Sequence, residues 1–170
     1  LRGPPPDTPH LFAVASQARR AFHHIFRRIF GGSSPAATLR ARIWTAIFSK
    51  DLAHYRLSTF RRMHDTPVLI TGESGTGKDL VARAVAYSQY VPFDPESRTF
   101  AADPYASYLP TNITAFNPNT VESALFGHRR GAFTGADSDH QGWFEACGPY
   151  GSIFLDEIGD LDPSIQVKLL

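Results

Sequence analysis

Two short segments of this sequence hold residue types that chemistry needs close together. The first is Gly72-Glu73-Ser74-Gly75-Thr76-Gly77-Lys78-Asp79. Glycines let a backbone wrap a chain of phosphates so that successive N–H groups and the start of the next helix point at it. A lysine there adds positive charge for the β and γ phosphates. An apolar run, Val68-Leu69-Ile70-Thr71, comes directly before, and helix-forming residues follow from Lys78. That context of strand, glycine loop and helix separates a phosphate cradle from a glycine-rich turn. The second segment is Ile153-Phe154-Leu155-Asp156-Glu157. An apolar strand ending in two adjacent acids supplies what the cradle lacks: Asp156 holds Mg²⁺ through its water, and Glu157 is the base that polarises the attacking water.

The strict P-loop pattern has Ser or Thr after the lysine, because that hydroxyl ligates Mg²⁺, and this chain has Asp79. Mg²⁺ keeps several waters and is readily held through them, so an acid at this position is compatible with ATP and Mg²⁺ as the ligands. The substitution does set the loop apart from that of an ordinary GTPase or kinase. A module that senses nucleotide without hydrolysing it is the other rival, and Glu157 argues against it, since a sensor needs no base beside the metal acid.

Between the two segments runs Glu122-Ser123-Ala124-Leu125-Phe126-Gly127-His128-Arg129-Arg130-Gly131-Ala132-Phe133-Thr134-Gly135-Ala136. Nothing in nucleotide chemistry calls for it. Glycines on both sides of Phe133 and Thr134 make a mobile loop with one exposed aromatic and one hydroxyl, suited to a contact that forms and releases. His128, beside two arginines, reads either as a switch or as a solvated loop residue. Trp143 and Phe144 are expected to pack the loop base into the core. Seven histidines and one cysteine show no metal-ligand spacing, and no zinc is expected.

The elements that must position these residues follow from hydrophobic period. Short apolar runs ending in glycine or acid, at 68–71 and 153–156, read as buried parallel strands. A helix is expected from Lys78 to about Tyr90, a strand leading to Asn112, a short helix from Val121 to Phe126, and a helix opened by Asp162 and Pro163. This order argues for an α/β fold with nucleotide at the strand ends. Ahead of it, residues 1–10 read as a proline-rich linker and 11–64 as a helical arm. Phe22, Ile25, Phe26, Ile29 and Phe30 fall at helical spacing on one face, expected to be core. Leu39, Ile43 and Ile47 mark a second helix, and Leu52, Tyr55, Phe60 and Met63 a third, opened by Asp51.

With 170 residues the chain suffices for one domain and a helical appendage. Its net charge of +1 hides a split: residues 1–62 carry 11 Lys/Arg against 2 Asp/Glu, and residues 63–170 carry 6 against 14. A basic arm on an acidic body meets nucleic acid or an acidic partner, or docks on that body, and charge alone does not choose. A single cysteine and the lack of any apolar run of roughly 18 residues point to the cytoplasm and against a membrane span.

Residues 131–136 also carry a resemblance. The sequence Gly131-Ala132-Phe133-Thr134-Gly135-Ala136 between the two nucleotide segments closely resembles the GAFTGA signature of the AAA+ domain of bacterial enhancer-binding proteins, the sigma-54-dependent transcriptional activators. It covers roughly residues 66–170. It implies a P-loop AAA+ core, a parallel sheet flanked by helices, that hydrolyses ATP to convert sigma-54 RNA polymerase holoenzyme from closed to open promoter complexes. By the same resemblance Lys78 is the Walker A lysine, Asp156 and Glu157 the Walker B pair, and residues 131–136 the loop that touches sigma-54. Asn112 is the asparagine that restrains the Walker B glutamate and couples the γ phosphate to loop position. Asp79 stands where the family most often has Glu, Ile113 where a Cys usually follows the asparagine, and the stretch before Asn112 is longer than usual. The resemblance also implies a ring, usually a hexamer, with ATP between subunits. It places the arginines supplied by a neighbour, the sensors, the lid, one strand between those ending at Thr71 and Asp156, and any DNA-binding domain beyond Leu170. Residues 1–170 by themselves are therefore expected to hydrolyse ATP poorly or not at all.

Overall fold

Helix-forming residues dominate the first half of the chain, and the computed structural model folds them into a small bundle. The structure describes residues 8–49, 51–106 and 108–169. Of the expected linker over residues 1–10, residues 1–7 lie outside the described residues, and Thr8 already opens helix α1 (Thr8–Phe22). The chain forms two compact units, Leu1–Ala106 and Ser107–Leu170.

In the first unit α1 runs into a π-helical turn, His23–Arg27, and is followed by α2 (Ser34–Phe48) and α3 (Leu52–Leu57). Ser33 caps α2 ahead of Pro35, and the Asp51 carboxylate accepts from the N–H groups of Ala53 and His54 to cap α3. A 3₁₀ turn, Thr59–Asp65, follows, and α4 (Lys78–Ala86) completes the helices. Helix α4 is shorter than expected, although Ser88, Gln89 and Tyr90 beyond it are buried. Ala21, Ile25 and Ile29 pack with Ile43, Ile47 and Phe48 of α2, Tyr55 of α3 and Ala84 of α4.

The expected apolar face of the arm is split. The π turn keeps Ala21, Ile25 and Ile29 in one buried line at four-residue spacing and leaves Phe22, Phe26 and Phe30 on the solvent side, 53%, 43% and 84% exposed. Phe22 and Phe26 stack on each other there, with ring centroids 4.9 Å apart.

Buried polar groups tie the arm to α4. Gln17 donates to the Tyr55 hydroxyl at 2.7 Å and to the Ser88 carbonyl at 2.8 Å. Burial pushes the Tyr55 phenol up to about 12. Arg20 is also buried and donates to the carbonyls of Tyr87 and Gln89, at 3.2 and 2.8 Å, just past the end of α4. A cation at a helix C-terminus satisfies carbonyls that have no intrahelical donor and complements the dipole. One arginine of the basic arm is thus structural.

His24 is held differently. Its ring lies among Tyr87, Tyr105 and His23, its Nε2 is buried with no hydrogen-bond partner among the described residues, and Arg20 and Arg28 add positive charge. Burial first, then these cations, lower its pKa from 6.5 to about 4. The folded value lies below the unfolded one, so the unfolded chain takes up a proton first as pH falls. Stability is therefore undiminished above pH 6.5 and declines from there toward pH 4. The urea midpoint is expected to be lower at pH 5 than at pH 7.5, and His24→Phe to flatten that slope. Equal slopes in the two proteins would remove His24 as the cause.

The expected strand at 68–71 is not formed. Val68 and Leu69 are 43% and 76% exposed, and among the described residues this run has no ladder partner. An apolar run becomes a strand only by pairing its backbone groups with a neighbour. The polar, proline-rich stretch over residues 92–104 contains a small antiparallel pair, β1 (Phe93–Asp94) with β2 (Thr99–Phe100), turned by Asp94, whose carboxylate accepts from Glu96 and Ser97. Phe93 and Phe100 pack edge to face there.

The second unit is mixed α/β. Strand β3 (Tyr108–Asn112) pairs in parallel with β4 (Ser152–Asp156) over five residues, from Tyr108 opposite Ser152 to Asn112 opposite Asp156. Between them lie α5 (Pro118–Phe126) and α6 (Trp143–Ala146), and after β4 comes α7 (Pro163–Lys168), capped by the Asp162 carboxylate. Val121 and Leu125 of α5, one helical turn apart, are buried with Ile113, Leu161 and Ile165, and Trp143 and Leu155 pack against them. Trp143 thus roots the loop in the core as expected. Phe144 does not: it is 46% exposed and stacks on Phe126.

Candidate functional site

The glycine loop, residues 72–79, makes its turn with two residues in the left-handed region, Gly75 at φ 78° and Gly77 at φ 87°, where only glycine sits without strain. Gly77 is the N-cap of α4; its carbonyl accepts from the Leu80 N–H at 3.0 Å, and the N–H groups of Lys78 and Asp79 ahead of it have no acceptor within the helix. Thr76 Oγ1 donates to the Glu73 carbonyl at 2.8 Å, and a Cβ on Gly72 would lie 2.9 Å from that oxygen. Lys78 folds back into the loop and its Nζ donates to the carbonyls of Gly72 and Glu73, both at 3.1 Å. The loop thus sets the Lys78 ammonium beside the start of α4, a combination that suits an anion chain. Asp79 is exposed in the first turn of α4.

In the second unit the register brings Asn112 and Asp156 side by side at the strand ends. Asp156 Oδ1 accepts from the Glu157 N–H at 3.1 Å. Glu157 itself is in the left-handed region, φ 56° and ψ 38°, a conformation that costs a non-glycine residue on the order of 1–3 kcal/mol. It lifts the Glu157 side chain out of the strand's alternation and leaves it exposed. Asn112 Oδ1 accepts from the N–H and hydroxyl of Thr114, at 3.0 and 2.7 Å, which orients the amide with its nitrogen as the donor end. Among the described residues no group of three or more His, Cys, Asp or Glu is placed to hold a metal ion. Magnesium in a nucleotide site takes one or two carboxylates together with phosphate oxygens and water, and Asp156 fits that pattern.

Residues 131–136 form the tip of a closed excursion. The Gly131 N–H donates to the Ala136 carbonyl at 2.9 Å, with Gly131 at φ 80° and Gly135 at φ 99°. Gly131, Ala132, Phe133, Thr134 and Gly135 are exposed and Ala136 is buried. The Phe133 ring meets the His128 ring edge-on at 4.9 Å. Below the tip, His128 and His140 exchange both backbone hydrogen bonds. Lower still, Gly127 and Gly142 touch backbone to backbone: a Cβ on Gly127 would lie 2.5 Å from the His140 carbonyl oxygen, and one on Gly142 would lie 2.3 Å from the Gly127 nitrogen.

No side chain fits at that root. Gly127→Ala, at φ 75° as well, is expected to cost about 1–3 kcal/mol, lower the melting temperature and make the loop an early site of proteolysis. An unchanged melting temperature would show that the two backbones separate without cost.

The glycine loop thus belongs to the first unit, and Asn112, Asp156, Glu157 and the excursion belong to the second. Sequence reasoning missed the root glycines, the His128–His140 pair and Asp139, which bonds to the Arg129 guanidinium and the Arg130 N–H. The readable signal was an acid ten residues after an arginine across a glycine-bounded loop.

Comparison with known proteins settles the family: the description of the sigma-54 interaction domain matches residues 46–170. The chain belongs to the sigma-54 interaction domain family. It is 49% identical to the hydrogenase transcriptional regulatory protein HoxA of Cupriavidus necator over 63% of this chain and 20% of that protein. It is 41% identical to the sigma54-dependent transcriptional regulator SfnR of Pseudomonas fluorescens over 81% of this chain and 34% of SfnR. It is 47% identical to the transcriptional regulatory protein ZraR of Escherichia coli over 62% of this chain and 21% of ZraR. The chain thus spans between 20% and 34% of the length of these relatives. A sigma-54 interaction domain is an AAA+ ATPase domain of transcription regulators, and the resemblance carried by residues 131–136 is to that same family. Among the described residues no helix is long and apolar enough to cross a membrane.

Proposed function

We propose that this chain is the ATP-binding and sigma-54-contacting part of a transcriptional activator that hydrolyses ATP to drive sigma-54 RNA polymerase holoenzyme from closed to open promoter complexes. The observation that carries the reading is the closed, exposed tip at residues 131–136, which shares one compact unit with the strand-end acids. A partner-contacting loop rooted beside hydrolytic groups can be moved by their chemistry.

In this reading the N–H groups of residues 72–79 and the start of α4 bind the phosphates, and Lys78 exchanges its two carbonyl partners for β and γ oxygens. Asp156 holds Mg²⁺, and Asp79 is the acid that follows Lys78 in the first turn of α4. The bound ion supplies charge neutralisation at the phosphates. Glu157, exposed and turned out of the strand, orients and deprotonates water. The donor end of Asn112 restrains Glu157 until the γ phosphate is in place. Phe133 supplies apolar contact and Thr134 a hydroxyl to sigma-54. Residues 11–64 form a helical arm, and 65–170 the first part of an AAA+ core. The active assembly is a homo-oligomeric ring, usually of six, working in the cytoplasm, with DNA bound through another part of the protein.

Binding of the full-length protein to purified sigma-54 tests the reading. Complex formation is expected with ADP and a metal fluoride, which mimics the transferring phosphoryl group, and not with ADP alone. Equal binding in both states would disconnect the loop from the nucleotide.

A further inference from the structure

The tip at residues 131–136 is closed by its own Gly131–Ala136 backbone bond and is held from below by a side chain outside it. Below it the chain runs as a short antiparallel neck, in which the narrow pair His128–His140 exchanges backbone bonds of 3.0 and 2.8 Å. In such a ladder the next inward N–H belongs to the residue two further on, here Arg130, and its acceptor would be the carbonyl of residue 138. The ladder stops there instead. The Arg130 N–H donates to the Asp139 carboxylate, Oδ1 at 2.7 Å, while Oδ2 accepts from the Arg129 guanidinium at 3.0 Å. One carboxylate therefore grips two consecutive residues of the opposite arm and takes the place of a rung.

We propose that Asp139 is a positioning residue for sigma-54 engagement: its carboxylate fixes the neck so that Phe133 and Thr134 are presented together. This rests on the reading of residues 131–136 as the sigma-54 contact.

Three features support the assignment. A backbone N–H bonded to an ionised carboxylate is shorter and stronger than a neutral bond, and this one lies at the point where the rungs end. The Arg130 N–H first, and the Arg129 guanidinium second, hold the Asp139 carboxyl below the usual range, so the ionised acceptor is the form present near neutral pH. The lower neck is independently fixed, by Gly127 against Gly142 and by the Ser123 hydroxyl of α5 bonded to the His128 ring, so Asp139 acts in the stretch between that root and the Gly131–Ala136 bond that closes the tip. The Arg129 side chain is 90% exposed, and an ion pair so open to water contributes little by itself. The backbone acceptor, more than the ion pair, is what the geometry uses.

The test uses four variants of the full-length protein: Asp139→Ala, Asp139→Asn, Arg129→Ala and Thr134→Ala. Each is scored for melting temperature, ATP hydrolysis and open complexes formed per ATP hydrolysed. Asp139→Ala is expected to keep its hydrolysis and to lose roughly tenfold to a hundredfold in open complexes per ATP, the scale on which a misplacement of about 1 Å acts. Asn still offers Oδ1 to the Arg130 N–H, so Asp139→Asn should recover most of the loss, and Arg129→Ala should change little. An Asp139→Asn protein as defective as Asp139→Ala would overturn the acceptor role. Normal coupling in Asp139→Ala beside a defective Thr134→Ala would overturn the Asp139 assignment and leave the contact reading standing. Normal coupling in Thr134→Ala would overturn the contact reading itself.

Discussion

Thr134→Ala in the full-length protein is expected to spare most ATP hydrolysis and to eliminate sigma-54-dependent open-complex formation. Thr134 is exposed at the tip of the excursion, and the substitution removes a hydroxyl while leaving the bonds that close the loop, Gly131 N–H to the Ala136 carbonyl and His128 to His140, untouched. A hydrogen bond made at a partner surface is typically worth roughly 0.5 to 1.5 kcal/mol net, and more when the partner group is left buried and unpaired. That is small against total affinity. It becomes decisive if the contact exists only in the ATP-bound or transition-state posture, because it is then the link between hydrolysis and force. Phe133→Ala is expected to behave similarly through lost apolar contact and to free the His128 ring from its edge-on partner. If the segment is only an internal turn, both substitutions should lower melting temperature and ATP hydrolysis together. Parallel measurement of hydrolysis, melting temperature and open-complex yield separates the cases. Normal open-complex formation by Thr134→Ala, or collapse of all three quantities at once, would sink the coupling role.

The second large effect is a separation of two defects. Lys78→Ala should abolish nucleotide binding, whereas Glu157→Ala should bind ATP and stop turnover. In the proposed reading the Lys78 ammonium, which bonds the carbonyls of Gly72 and Glu73, contacts ground-state phosphates instead. Glu157 is proposed to act on water, which gains from a base only as the reaction proceeds, and loss of general-base assistance typically costs about 10²–10⁴-fold in rate. Alanine at 157 keeps the same left-handed backbone and its strain, so the variant should fold about as stably as the parent. Asn112→Ala, opposite Asp156 in the register, should leave hydrolysis detectable but poorly coupled to work. Nucleotide titration and phosphate release on the same preparations decide the matter. If Glu157→Ala loses ATP affinity as severely as Lys78→Ala, the base assignment fails.

The parts of this fold that are readable in sequence are those fixed by local chemistry. Asp51 and Asp162 announce helix starts because a short polar side chain ahead of a helix has few better uses than capping it, and both do so. The run ending at Asp156 is readable as a strand because a continuous apolar stretch of that length has little other use; β3 supplies its pairing, and the strand is half-buried. The similar run at 68–71 reads the same way and is exposed, because pairing is a property of the neighbour and not of the run. Period alone likewise put Phe22, Phe26 and Phe30 on the same face as Ile25 and Ile29. A π turn, which no sequence period encodes, divides them. The candidate site shows the same division. The glycine loop, the acid pair and the hexapeptide are contiguous motifs, so each is visible as letters. The neck is made of residues brought together from both sides of the loop, Gly127 with Gly142, His128 with His140, and Arg129 and Arg130 with Asp139, so it becomes visible only once the chain is closed.

The central claim is the proposal that the full-length protein couples ATP hydrolysis to opening of promoters by sigma-54 polymerase. The most direct measurement is open-complex formation by the full-length protein with purified sigma-54 holoenzyme on a promoter of that class, with ATP or a non-hydrolysable analogue. The account predicts open complexes with ATP, none with the analogue, and none when the polymerase carries a different sigma factor. Open complexes formed equally well with the analogue, or none with ATP from a protein that hydrolyses it, would contradict it.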